Sequence, residues 1–379
     1  MKKINKKKLK NHNKLIIFMP SMEGGGVEKN IILISNYLSK YLDDISLITF
    51  DSRFNNQFNK KIKIINHTKK ILNVTKYYKY LICLINLTKQ ILTYKNISVF
   101  SFQANIYALI LCKLLNIKII IRSNSSPLGW SKSTIKTFIF RIFFKLADKI
   151  IVNSQEFKKQ LDNKLNVNSL LIYNPLNKQE IKKNNKRKIK LNFFNSNKSK
   201  ILKIINIGRF TDQKDQITLL KAINEIYKKV KLKLLIIGYG KNEKILKSFV
   251  KKNRLSNLVK IINFQKNPFP FLKRSDLFIL SSKFEGLPNV LLEAIVLKKF
   301  IISSQCPTGP KEILLNGKYG YLFKIGDYKN LAKLILQYSK NKKQNKRKIN
   351  EAYKSLYRFN YEGNCKKYLM TVNKYLIEK

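Results

Sequence analysis

ILKIINIGRFTDQKDQITLLKAINEIYKKVKLKLLIIGYG, residues 201–240, decides how this chain is read. ILKIINIG and LKLLIIG are short apolar runs, each closed by glycine. Between them, DQITLLKAINEIYKKV carries apolar residues at helical spacing. Two parallel strands need a crossover between them, and a helix supplies it. The runs are apolar throughout rather than alternating, as in strands covered on both faces. The segment therefore reads as a strand–helix–strand unit of a parallel sheet.

The same rhythm continues on both sides. Downstream come NEKILKSFVKKN, VKIINF, NPFPFLKRS, DLFILSS, PNVLLEAIVLKK and FIISS, alternately helix and strand. Upstream, KLIIFMP (14–20), DISLITF, NISVFSF, IKIIIRS, ADKIIVNS and SLLIYNP read as strands. GVEKNIILISNYLSKYL, NIYALILCKLL and QEFKKQLDNKL read as helices among them. After Asn174-Pro175 the pattern breaks into a charged, Asn-rich stretch. The expected organisation is a domain over 1–176, a linker over 177–199, a second domain over 200–346 and a helical tail over 347–379. The fold class is α/β: two doubly wound, Rossmann-like domains facing a cleft, with ligands beyond the carboxyl ends of the strands.

The 379 residues carry 77 Lys and Arg against 21 Asp and Glu, a formal charge of +56. Nucleic-acid binding is the obvious reading of such a charge. However, 68 of the basic residues are Lys and nine are Arg, and they are spread over the whole chain. Readers of phosphate and bases lean on the Arg fork. A basic composition, drawn to anionic phosphates and membranes, accounts for the spread better. Binding to RNA across a salt series separates the two readings. Cys83, Cys112, Cys306 and Cys365 are scattered and the only histidines are His12 and His67, so neither a disulfide framework nor a metal centre is expected. No apolar run reaches the roughly 18 residues of a bilayer span. The nearest, YLICLINLTKQILTY, is interrupted by Lys89. The expected location is cytoplasmic, with the inner face of the membrane within reach.

Several strand-end stretches carry chemistry. EGGGVEKN (23–30) opens a helix after the first strand. Gly25 and Gly26 let backbone approach a ligand at a helix N-terminus, though a tight turn alone also explains them. In IGRFTDQKD, Gly208 ends a strand, and Arg209 and Lys214 follow. An Arg fork and a Lys point charge suit a diphosphate, and charge grows on a departing diphosphate. The competing role for Arg209 is a salt bridge to Asp212 or Asp215. Gly238 and Gly240 in IIGYG repeat the strand-end glycine, a weak signal alone.

FEGLPNVLLEA (284–294) sets Glu285 and Glu293 around a turn containing Gly286 and Pro288. Pro288 disfavours helix at Leu287 and suits a first helical turn, so the helix starts near Pro288 or Asn289. Glu285 is then on a loop and Glu293 within a mostly apolar helix. That separation weakens a hydrolytic carboxylate pair. It leaves two hydroxyl-binding acids around an amide-rich helix start, or a dipole-complementing Glu285 and a solvated Glu293. In SSQCPTGPKEIL, Gly309, Pro310 and Glu312 form one more strand-end turn.

Together, GRFTDQKD, IIGYG, NFQKNPFPFLKRSDLFILSSKFEGLPNVLLEA and CPTGPKEILLNGKYGYLF resemble glycosyltransferase family 4, retaining nucleotide-sugar-dependent enzymes of GT-B fold. The likeness covers most of the second half; in the first, only GGVEK and the Asn-Pro match. It implies that Arg209 and Lys214 hold the donor diphosphate, Glu285 the sugar and Glu293 the ribose. Gly25 and Gly26 would face the diphosphate or the reaction centre. It also implies a metal-independent reaction without a cofactor, and a tail helix that packs back on the first domain. Members commonly carry a sugar-contacting His after a central N-terminal strand. The comparable segment here, IIIRSNSSPLGW (119–130), has none, and Arg122, Ser123 and Asn124 stand there instead. The donor is read as a UDP-hexose or UDP-N-acetylhexosamine. An epimerase or phosphorylase of the same fold is the alternative, and no pyridoxal phosphate signature supports the phosphorylase. TFIFRIFFKLADK (137–149) sets Phe138, Ile142, Phe143 and Leu146 beside Arg141, Lys145 and Lys149. Such a helix suits a membrane surface or a core with a solvated edge. The acceptor is accordingly expected to be a lipid-linked or cell-surface glycan.

Overall fold

A computed structural model describes residues 10–66, 74–124, 134–187, 192–194 and 201–377. His67, segment 125–130 and most of the expected linker beyond 187 lie outside them. The chain forms two compact units: Met1–Pro175 with Glu362–Lys379, and Leu176–Tyr361.

The first unit runs β1 (Lys10–Phe18), α1 (Gly26–Leu38), β2 (Asp44–Ile48), β3 (Lys63–Ile65), α2 (Lys76–Ile91), β4 (Tyr94–Ser101), α3 (Asn105–Leu114), β5 (Lys118–Arg122), α4 (Thr134–Lys145), β6 (Lys149–Val152), α5 (Gln155–Leu165) and β7 (Leu170–Leu171). The seven strands pair in parallel in the order β3-β2-β1-β4-β5-β6-β7. Successive strand side chains point to opposite faces, so each strand feeds two layers. Ile16, Phe18, Val99, Ile119 and Ile121 pack against α2, α3, α4 and α5. Leu15, Ile17, Leu47, Ile120 and Ile151 pack against α1 and the C-terminal helix.

The interrupted apolar run folds as α2. Tyr80, Cys83, Leu87 and Ile91 fall three or four residues apart and face inward. The Thr75 hydroxyl accepts from the Tyr78 N–H at 3.3 Å to start the helix.

The second unit runs α6 (Lys178–Asn184), β8 (Leu202–Ile207), α7 (Gln216–Ile226), β9 (Leu232–Ile237), α8 (Glu243–Lys252), β10 (Val259–Ile262), α9 (Phe269–Lys273), β11 (Leu277–Leu280), α10 (Asn289–Val296), β12 (Phe300–Ser304), α11 (Pro310–Ile313), β13 (Tyr321–Phe323), α12 (Tyr328–Lys340) and α13 (Asn345–Lys354). Its sheet is parallel, in the order β10-β9-β8-β11-β12-β13. The order reverses between β8 and β11, the switch point at which doubly wound sheets bind ligands.

Two stretches differ from their sequence reading. The expected linker begins with α6, because the Asn177 side chain caps it at the Glu180 N–H (3.1 Å) and Ile181 is buried. α13, which spans the expected boundary at 346, packs within the second unit. Only α14 (Tyr361–Ile377) brings the chain back to the first, where Tyr368 and Val372 join the core. Among the described residues, no helix is long and apolar enough to cross a membrane.

Candidate active site

The carboxyl ends of β8, β9, β11 and β12 carry the loops singled out from the sequence. At the switch point, Lys214 Nζ lies 2.5 Å from Glu285 Oε1, with the two side chains 16% and 8% exposed. Ser282 Oγ donates to the same Oε1 at 2.6 Å. Both ends of this loop pair are pinned from behind. Ser281 Oγ donates to the Lys214 carbonyl at 3.0 Å, and Gln213 Nε2 to the Phe284 carbonyl at 2.9 Å. The Thr308 hydroxyl donates to the Glu285 carbonyl. The two residues read as separate ligands, a phosphate cation and a sugar acid, thus meet as one ion pair. An ammonium has three donors and this contact uses one. The pair is net neutral, and two of the Lys214 N–H donors are not used by this contact.

The Cys306 thiol in this corner is fully buried. Burial, with the Glu285 carboxylate adding, pushes its pKa up to about 12.

The glycines here serve close approach. A Cβ on Gly238 would lie 1.9 Å from the Gly208 carbonyl oxygen, and one on Gly309 2.2 Å from that of Gly286. The turns after β8 and β9 are thus pressed together, as are those after β11 and β12. Gly309 also has φ +86°, which side chains rarely adopt. The Lys214 stem passes over Gly208 at ordinary van der Waals distance, and a Cβ on Gly240 would lie 2.5 Å from the Phe210 carbonyl oxygen.

Arg209 is exposed at the end of β8. Asp212 bonds Lys241 at 2.5 Å and Asn242 at 2.8 Å, and Asp215 accepts from Thr218 at 2.7 Å. Glu293 lies inside α10 at 5% exposure, between Leu292 and Ala294. α10 starts after Pro288, as the proline predicts, with no side-chain cap from that residue.

In the first unit, amides of the loop after β1 are bonded to side chains from the loops after β2 and β4 and from α1. The amides of Ser21, Met22 and Glu23 donate to Gln103, Asp51 and Glu28, each at 2.8 Å. Glu28 folds back over Gly25, where a Cβ would meet its Oε2 at 3.1 Å. Three amides ahead of the glycines are thus already bonded within the unit. Gly25 and Gly26 remain at the N-terminus of α1.

Arg122 stands in the segment where the resemblance expects a histidine, and its side chain is engaged inside the first unit. It is fully buried: Nε donates to Tyr368 Oη at 2.9 Å, Nη2 to Asn174 Oδ1 at 2.6 Å, and Nη1 to Asn124. Its guanidinium also lies 5.6 Å from the Phe102 ring centroid. It holds α14 and Asn124 in place. The Tyr368 phenol is pushed above its ordinary pKa by burial, with Arg122 opposing.

Sequence reasoning missed Ser282, Ser304 and Thr308. A signal was present, since the runs DLFILSS and FIISS both close in Ser-Ser, and Ser304 Oγ donates to the Ser282 carbonyl at 2.5 Å. Among the described residues, no group of three or more His, Cys, Asp or Glu could hold a metal ion.

Two doubly wound, parallel-sheet units of this kind define the GT-B type of fold. Anabaena HepE in complex with UDP and glucose shares the fold, with TM-score 0.76 over 96% of this chain and 100% of that one at 16% identity. The chain belongs to the group 1 glycosyltransferases. The model of that family, described as glycosyl transferases group 1, matches residues 187–355. An uncharacterized glycosyltransferase of Methanocaldococcus jannaschii is 31% identical over 324 residues, 78% of this chain and 76% of that protein. Campylobacter jejuni N-acetylgalactosamine-N,N'-diacetylbacillosaminyl-diphospho-undecaprenol 4-alpha-N-acetylgalactosaminyltransferase is 24% identical over 244 residues, 63% of this chain and 64% of that one.

Proposed function

We propose that this glycosyltransferase moves a hexose or N-acetylhexosamine, with retention, from a UDP-sugar to a lipid-linked or cell-surface glycan. The observation that carries the donor side is the Lys214–Glu285 pair, fixed over Gly208 at the switch point of the second unit. Lys214 and Arg209 hold the diphosphate, and the N-terminus of α10, from Gly286 through Asn289, lends amide dipoles. Glu285 binds the sugar and Glu293 the ribose, with Gly238 and Gly240 letting the backbone near the nucleotide. Gly25 and Gly26 face the diphosphate or reaction centre from the first unit. Ammonium, guanidinium and amides carry the leaving charge, so the reaction needs no metal or cofactor.

The acceptor hydroxyl oxygen attacks the anomeric carbon on the face that the diphosphate leaves. The bond from that carbon to the phosphate oxygen breaks, and the departing phosphate takes the hydroxyl proton. Neither glutamate acts as a nucleophile.

A UDP-bound neighbour of the same fold and a relative named for a diphospho-undecaprenol-linked acceptor support this choice of substrates. The reading places the enzyme at the cytoplasmic face of a membrane, in peripheral contact with anionic lipid. The test is a screen of nucleotide sugars by nucleotide release, with Glu285→Ala and Arg209→Ala as controls. One donor should give release that both variants reduce. Unchanged release in both would overturn the site.

A further inference from the structure

α2, α3 and α4 lie side by side over one face of the first unit's sheet, their inner residues in its core. Their outer faces are apolar. On α4, Ile135, Phe138, Ile139 and Ile142 repeat at helical spacing and are 40–71% exposed, while Phe144 holds the inner side at 2%. On α2, Tyr77, Leu81 and Ile85 form a stripe four residues apart, 43–71% exposed. α3 adds Tyr107 and Leu114, and the Tyr80 and Tyr107 rings, 5.8 Å apart, join it to α2. Of nineteen exposed large apolar or aromatic side chains among the described residues, twelve lie on these helices or directly after them. A monomeric surface scatters such residues; gathered on one face, they mark a surface that something covers.

The charge of the face selects its occupant. α2, α3 and α4 contain three, one and three Lys or Arg and no Asp or Glu; Lys79 and Lys113 are paired to Asp51 and Asp148, which leaves the excess on the other five. The neighbouring α5 contains Glu156 and Asp162. A second copy of this chain would bring the same positive charge to the contact. An anionic bilayer supplies the opposite charge and an apolar interior together. Tyr rings suit its interface, where one end of the side chain is wet and the other is not.

We propose that the outer face of α2, α3 and α4 docks the first unit on a bilayer of anionic lipids. The Ile, Leu and Phe stripes enter the acyl boundary, and Lys and Arg remain at the headgroups. This rests on the membrane contact proposed above and extends it from α4 to a three-helix surface.

The test is flotation of the full chain with vesicles containing phosphatidylglycerol, against vesicles of phosphatidylcholine alone. The protein should float with the first and bind less as salt rises. Phe138→Ser with Ile142→Ser should lower partitioning on the order of tenfold or more. Leu81→Ser with Ile85→Ser should do likewise, which an anchor built from α4 alone would not show. Ile245→Ser with Ile325→Ser, exposed positions of the second unit, should leave binding unchanged. All these side chains are exposed, and thermal melting confirms that the variants fold. Failure to float with phosphatidylglycerol at low salt overturns the proposal. So does unchanged binding in either paired variant of the docking face, or a solution dimer that those variants dissociate.

Glu285→Ala keeps this outcome apart from the assignment of the active site. That variant should lose nucleotide release and still float. For the wild-type chain, flotation without turnover of any donor refutes the enzyme reading alone, and turnover without flotation refutes the docking surface alone.

Discussion

The two sheets share a strand order, yet their carboxyl edges differ. Both are wound outward from a central pair, β1/β4 in the first unit and β8/β11 in the second. At β8/β11 the loops carry a fixed ion pair, glycine turns in backbone contact and an exposed Arg. At β1/β4 the amides of 21–23 are already bonded to Gln103, Asp51 and Glu28. The first unit carries its distinctive chemistry on its outer helices instead. One strand order thus carries two different edges, because the sheet fixes only where loops emerge and the loop residues decide what occupies them.

The sharpest way to break this comparison is Gly238→Ala. Its Cβ would meet backbone, which has no rotamer to give, so the second unit should lose about 3 kcal/mol or more. Urea denaturation measures it, and a melt within error of wild type would refute the close approach.

Glu285→Ala comes next, with nucleotide release expected to fall on the order of a hundredfold, about 2.7 kcal/mol. Lys214→Ala should cost a similar amount. The double variant should cost less than the two losses combined, because each single change strands its partner. Strict additivity would mean that the pair does not act as a unit.

Tyr368→Phe removes the acceptor of the Arg122 Nε–H and should destabilise the first unit by about 1–3 kcal/mol. The loss should appear in hydrogen exchange of α14 and β5 rather than in the second unit. Gly25→Ala should have the smallest effect, about 1 kcal/mol or less, since its Cβ would meet a carboxylate that can swing aside. A loss as large as that of Gly238→Ala would erase the contrast between the two edges.

Much of the fold was legible along the chain. Apolar runs buried on both faces alternate with helices, so the doubly wound class follows from residues such as those of 201–240. α2 was harder, because Lys89 interrupts a run whose inward residues recur at Tyr80, Cys83, Leu87 and Ile91. α6 was hidden by its charge: one buried Ile181 and an Asn cap leave little periodicity to see.

Local chemistry determined the start of α10 after Pro288, since a proline ring dictates its own φ and restricts the residue before it. The positions of Lys214 and Glu285 were also plain from the sequence. That they form one pair was decided by tertiary structure, because 71 residues separate them and only adjacent strand ends bring the loops together. Arg122 shows the same limit. Its place at the end of β5 suggested a ligand contact, but a helix 246 residues away supplies the phenol that holds its guanidinium. Periodicity and backbone chemistry act between near neighbours, and so the sequence displays them. Partnership between charged groups depends on burial and distance, which only the packed sheets establish.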